Sequence, residues 1–80
     1  NITFYVEFNA IGDISTVLET ARELGAKIFS VEIERAEREG DNYPSAVVTL
    51  RLSRERTSHS ALLSSIAELG CVYSIQELVS

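Results

Sequence analysis

His59 is the single histidine of the chain, and its surroundings decide whether it can do chemistry. A catalytic imidazole needs a nucleophile or an orienting carboxylate in reach, and a metal-binding one needs His or Cys companions at set spacing. No such companion stands at suitable spacing, so His59 reads as a solvated residue in the first turn of a helix. The carboxylates Glu32, Glu34, Glu37, Glu39 and Asp41 form the next group. A tight Ca²⁺ or Mg²⁺ cage asks for oxygens converging from a stiff turn, and this segment lacks that pattern, with Arg35 and Arg38 interleaved. Arg51, Arg54 and Arg56 precede a helix start where a phosphate or carboxylate could gather. Glu55 sits among them, and solubilising charge is the expectation. The sequence therefore predicts no catalytic residue, no metal site and no cofactor.

Two groups of residues remain as candidates for binding. The turn Asn9-Ala10-Ile11-Gly12 joins an expected strand to an expected helix, and a glycine there lets a ligand or another chain approach the backbone. Asn9, Ile11 and Gly12 are the candidate ligand-binding residues, set against the alternative of a tight connection and nothing more. The second group is Tyr5, Ile28 and Val47, with Thr3 and Thr49 between them and Glu7, Glu32 and Arg51 around them. An apolar centre with a charged rim is how an interface is built. The competing reading is that these cross-strand pairs simply stabilise a sheet.

Hydrophobic periodicity supplies the elements that must position these groups. Ile2, Phe4, Val6 and Phe8 alternate with Thr3, Tyr5, Glu7 and Asn9, the period of a half-buried strand. Asp13 is placed to cap a helix whose apolar stripe is Ile14, Val17, Leu18, Ala21 and Leu24, and Gly25 closes it. A second strand follows with Phe29, Val31 and Ile33 inward and Ser30, Glu32 and Glu34 outward. Gly40-Asp41-Asn42 is a turn signal, and Pro44 suits the start of a third strand. In that strand Ala46, Val48, Leu50 and Leu52 point inward. After a loop at Ser53–Thr57, Thr57 or Ser58 caps a second helix with Leu62, Leu63, Ile66 and Leu69 on its stripe, closed by Gly70. The last segment, Cys71 to Val79, reads as a strand of uncertain phase, because Val72 and Ile75 share a face only if a bulge intervenes.

Strands with one apolar face and two amphipathic helices give a two-layer α+β sandwich. The order βαββαβ, with a hairpin between two helical crossovers, is the ferredoxin-like arrangement. The first and third strands are expected at the centre of a four-stranded antiparallel sheet, with both helices on one face. Eighty residues allow one domain, 1–80, with one core, and 45% apolar residues argue against disorder. A net charge of −5 argues against nucleic acid and against an anionic lipid surface. No apolar run approaches the length of a membrane helix and no leader precedes the first strand, so the fragment itself is expected to be soluble and not membrane-inserted. Cys71, the one cysteine, is expected to act as a small hydrophobe in a reduced compartment.

The stretches Asn9-Ala10-Ile11-Gly12-Asp13-Ile14 and Leu24-Gly25-Ala26-Lys27-Ile28 resemble the first loop and helix end of ACT domains, regulatory βαββαβ modules that bind amino acids. A narrower resemblance is to the soluble C-terminal ACT-like domain of MgtC/SapB-type bacterial membrane proteins. It is carried by Leu50-Arg51-Leu52 with the basic loop after it, by Ser58-His59, and by the ending from Gly70-Cys71-Val72-Tyr73 through Ile75-Gln76-Glu77-Leu78. That resemblance implies a non-catalytic interaction or regulatory domain at the cytoplasmic side of the bacterial inner membrane, part of a larger protein linked to magnesium homeostasis. Its partners would be its own transmembrane domain or another protein, and the face with Tyr5, Ile28 and Val47 leaves a second copy in a homodimer as the other occupant. The alternative is an ACT-type regulatory domain that binds a small ligand such as an amino acid, with Asn9, Ile11 and Gly12 lining the site.

Overall fold

The computed structural model describes residues 1–34, 43–52 and 58–78. Strand β1 spans Ile2–Phe8, helix α1 Ile14–Glu23, β2 Ala26–Glu34, β3 Ser45–Leu52, α2 His59–Ala67 and β4 Val72–Glu77. A 3-10 turn over Ile11–Asp13 leads into α1. The four strands form one antiparallel sheet in the order β2-β3-β1-β4, and the helices cover one of its faces. This is the α+β, βαββαβ ferredoxin-like fold, with the first and third strands central as their clean alternation predicts. No helix among the described residues is long and apolar enough to cross a membrane.

The alternation of β1 and β3 builds the core directly. Their register sets Ile2 beside Leu50, Phe4 beside Val48 and Val6 beside Ala46, all on the helix side. Phe4, Val6, Phe8, Ala46, Val48 and Leu50 are fully buried there. Helix α1 contributes Ile14, Val17 and Ala21, and α2 contributes Leu62 and Ile66, the spacing that keeps one stripe facing the sheet. Each large side chain so buried stabilises the fold by about 1.5–3 kcal/mol. Gly25 takes φ 95°, a left-handed conformation that ends α1 at low cost only without a side chain. Ser58 caps α2, its Oγ accepting the Ala61 N–H at 3.2 Å. Thr57 and the Gly40-Asp41-Asn42 turn lie outside the described residues.

The edge strands depart from the expected pattern. In β2, Ile28 pairs with Leu50 and Ser30 with Thr49, so Phe29 is an extra residue with no partner in β3. Such a bulge turns its side chain out of the regular alternation. Phe29 is therefore not inward; it stands 46% exposed, while Ile28 takes the inward place and packs on the core. Ile33 does face the covered side, opposite Ala46, yet at the rim of the sheet it stays 47% exposed. In β4 the same device appears: Val72 pairs with Phe8 and Ser74 with Glu7, leaving Tyr73 extra. The bulge brings Val72 and Ile75 to the same face, where both pack against the core.

Two caps also differ from expectation. Asp13 does accept an N–H, but it is that of Ala10, at 2.8 Å, so its carboxylate closes the 3-10 turn instead of the first turn of α1. Gly70 does not mirror Gly25. Helix α2 has already ended at Ala67, Gly70 has no left-handed φ, and a Cβ there would meet nothing within 4 Å.

Candidate interaction face

The face of the sheet away from the helices can be laid out row by row from the strand register. At one end Glu34 pairs with Ser45 and Ser45 with Glu7, and Glu7 with Ser74. The next row is Glu32, Val47, Tyr5 and Gln76. Then come Phe29 and Ser30, which together oppose Thr49, and beside Thr49 stands Thr3. Lys27 paired with Arg51 closes the far end. Carboxylates thus occupy one end of the strands, cations the other, and a largely uncharged band lies between.

Polar contacts hold this surface in place. Thr3 and Thr49 hydroxyls bond across β1 and β3 at 3.2 Å, and the Ser74 hydroxyl donates to Glu7 Oε1 at 2.7 Å. Lys27 Nζ lies 5.9 Å and the Arg51 guanidinium carbon 5.6 Å from the centre of the Phe29 ring, within cation–π range. The bulge thus carries an aromatic ring out between two cations. Where β3 and β4 begin, Tyr43 and Tyr73 stack with ring centres 4.1 Å apart.

Of the candidate interface residues, the fold brings Tyr5 and Val47 together as direct cross-strand partners, both half-buried. Ile28 does not join them; the bulge sends it to the core and Phe29 takes its place. Adjacent apolar residues at 28 and 29 were the signal for this slip, since a strictly alternating strand does not place two apolar side chains in succession.

The candidate ligand loop is a defined turn without charge at its tip. The Asn9 backbone N–H donates to Cys71 O at 2.9 Å, and its side-chain amide donates to Gly70 O at 3.4 Å. Asn9 thereby fastens the first loop to the connection between α2 and β4. Ile11 is 41% exposed, and the space above Gly12 is open. The arrangement leaves room for an approach to the backbone, and the long contact to Gly70 uses one donor of the Asn9 amide.

His59 has a carboxylate partner that its sequence neighbourhood does not reveal. Its Nε2 lies 2.9 Å from Glu77 Oε2, brought across from β4. The alternation of β4 did not say which way Glu77 points, so the pair was illegible. Both side chains are partly exposed, and among the described residues no hydroxyl or thiol bonds to the imidazole, so the pair ties α2 to the edge of the sheet. Among the described residues no three His, Cys, Asp or Glu side chains cluster so as to hold a metal ion. Glu37, Glu39, Asp41, Arg54 and Arg56 lie outside the described residues. No family model matches the chain, and no curated protein matches it either.

Proposed function

We propose that the chain is a non-catalytic interaction and regulatory domain whose open sheet face meets a protein partner. We further propose that it is the cytosolic ACT-like domain of an MgtC/SapB-type membrane protein linked to magnesium homeostasis. The observation that carries the first statement is Phe29. An antiparallel sheet with one solvated face normally shows polar residues there. Here a bulge turns a phenylalanine out of the core onto the face that also carries the Tyr5–Val47 pair, with the Thr3–Thr49 pair between them. An apolar centre rimmed by Glu7, Glu32, Lys27 and Arg51 has the anatomy of a protein interface. The second statement is supported by the sequence likeness over Leu50-Arg51-Leu52, Ser58-His59 and the final strand.

Hydroxyl-radical footprinting tests the first statement. Tyr5 and Phe29 should be labelled less in the intact parent protein than in the isolated chain at low concentration, and equal labelling of both would refute it. The second is tested by the reading frame, where a soluble enzyme domain in place of apolar helices would count against it.

A further inference from the structure

We infer that the open face takes a second copy of this chain, related by a two-fold axis that lies in the plane of the sheet and runs across the strands. The inference rests on the reading of that face as an interaction surface and names its occupant. What selects a second copy is the way charge is segregated along the strands. Glu7 and Glu34 stand at one end of the face, Lys27 and Arg51 at the other. The same pattern on two copies can be complementary in one orientation and repulsive in another.

Consider the two face-to-face arrangements that a two-fold axis allows. An axis parallel to the strands lays carboxylates on carboxylates and cations on cations, which is unfavourable. An axis across the strands turns one copy end for end. Lys27 of each copy then lies over Glu34 of the other, and Arg51 over the end that holds Glu7. The middle rows coincide, so the row of Glu32, Val47 and Tyr5 in one copy covers the Phe29–Thr49 row of the other, which brings Glu32 towards the cation end of its partner. Such an interface is self-complementary, and each favourable contact occurs twice. Packed sheets cross at about 30°, an offset that long Lys and Arg side chains span easily. The ring of Phe29 already holds both cations at that end of the face.

The size of the face sets the strength. Four strands of about seven residues make a patch of roughly 19 Å by 23 Å, small beside a standard interface. The dimer is accordingly weak and dependent on concentration. The ring of Phe29, 46% exposed in the single chain, becomes covered.

The test is sedimentation equilibrium of the 80-residue chain at low salt, from the low micromolar range to about 1 mM, a span chosen to capture weak association. A monomer–dimer equilibrium is expected within that span. Lys27→Glu and Glu34→Lys should each weaken it at least about tenfold, and the two together should restore it to within about threefold of the original. Both sites are exposed, and circular dichroism checks that each variant folds. A chain that stays monomeric throughout overturns the inference. So does a dimer indifferent to the single reversals, or one that the combined reversal fails to rescue. A monomeric chain whose Tyr5 and Phe29 are nonetheless shielded in the parent protein gives the face to a different partner and leaves the broader reading intact.

Discussion

The central and edge strands of this sheet obey different rules. Strands β1 and β3 pair with each other from Ile2↔Leu50 to Glu7↔Ser45 without a slip. Each edge strand, β2 and β4, carries one extra residue against its single partner, Phe29 in the first and Tyr73 in the second. A central strand is held on both sides, so an added residue would have to be absorbed by two ladders at once. An edge strand has one ladder, and a bulge can let the surplus residue out. Both surplus residues are aromatic and both are exposed, so the irregular places of the sheet are also the places where rings reach its surface.

Deletion of single residues breaks this comparison most sharply. Removing Thr49 from β3 shifts Leu50 and Leu52 to the wrong face, and the variant should lose cooperative unfolding altogether. Removing Phe29 leaves Ile28, Ser30 and Val31 opposite the same partners as before, so that variant should fold, with stability within about 1 kcal/mol of the parent chain. Urea denaturation at low micromolar concentration decides between them. If deletion of Phe29 is as damaging as deletion of Thr49, the bulge is not the dispensable surplus described above.

Truncating side chains gives the next largest contrast. Phe4→Ala should cost about 3–5 kcal/mol by the transfer and cavity terms together, a large part of what a domain this size possesses. Phe29→Ala, on a half-exposed ring, should cost about 1 kcal/mol or less. Similar losses at the two positions would mean that the bulged ring is held far more tightly than its exposure indicates.

The glycines sharpen the comparison further. Gly25→Ala forces a side chain into φ 95° and should lose about 1–2 kcal/mol, a drop of several degrees in Tm. Gly70→Ala meets open space and needs no left-handed backbone, so its melting curve should overlie that of the parent chain. A drop at Gly70 equal to that at Gly25 would show that the two helix ends are built alike.

The smallest effects are expected from small ligands. Magnesium at low millimolar levels should move Tm no more than matched ionic strength does, because Glu32 and Glu34 lie on an open face and leave the ion its waters. A saturable rise abolished by Glu32→Gln with Glu34→Gln would contradict this. Calorimetry should likewise find no free amino acid bound below the millimolar range. Asn9 has no charge to pair with an α-ammonium group, and its amide already bonds to Gly70. One clear binder, lost in Gly12→Val, would make the first loop a ligand site.

What the sequence discloses follows the same division between centre and edge. The four inward residues of β1 and the three fully buried ones of β3 were legible because a slip of one residue there would expose the whole core. The stripes of α1 and α2 were legible for a similar reason, since only one face of each helix can meet the sheet. The bulge in β2 is not legible, because four apolar residues in six allow one phase that buries Phe29 and another that buries Ile28, and only pairing chooses between them. In β4 the need for a bulge was visible but its position was not. The ion pair of His59 depended on that phase and stayed hidden with it. Of the candidate face, Tyr5 and Val47 were placed correctly and Ile28 was not. The segregation of charge along the strands emerged only when the register set four strands side by side.

Strand β1 owes its central place to two partners that come later in the chain, β3 on one side and β4 on the other. During synthesis from the N-terminus, Ile2–Phe8 therefore leaves the ribosome long before either neighbour exists. Its sequence combines β-branched and aromatic residues with a single charge, a composition that pairs readily with strands of other molecules. Until Val72–Glu77 has emerged, one edge of β1 must stay open, however complete the remainder of the sheet has become. The last strand to be made thus seals the most vulnerable edge of the first.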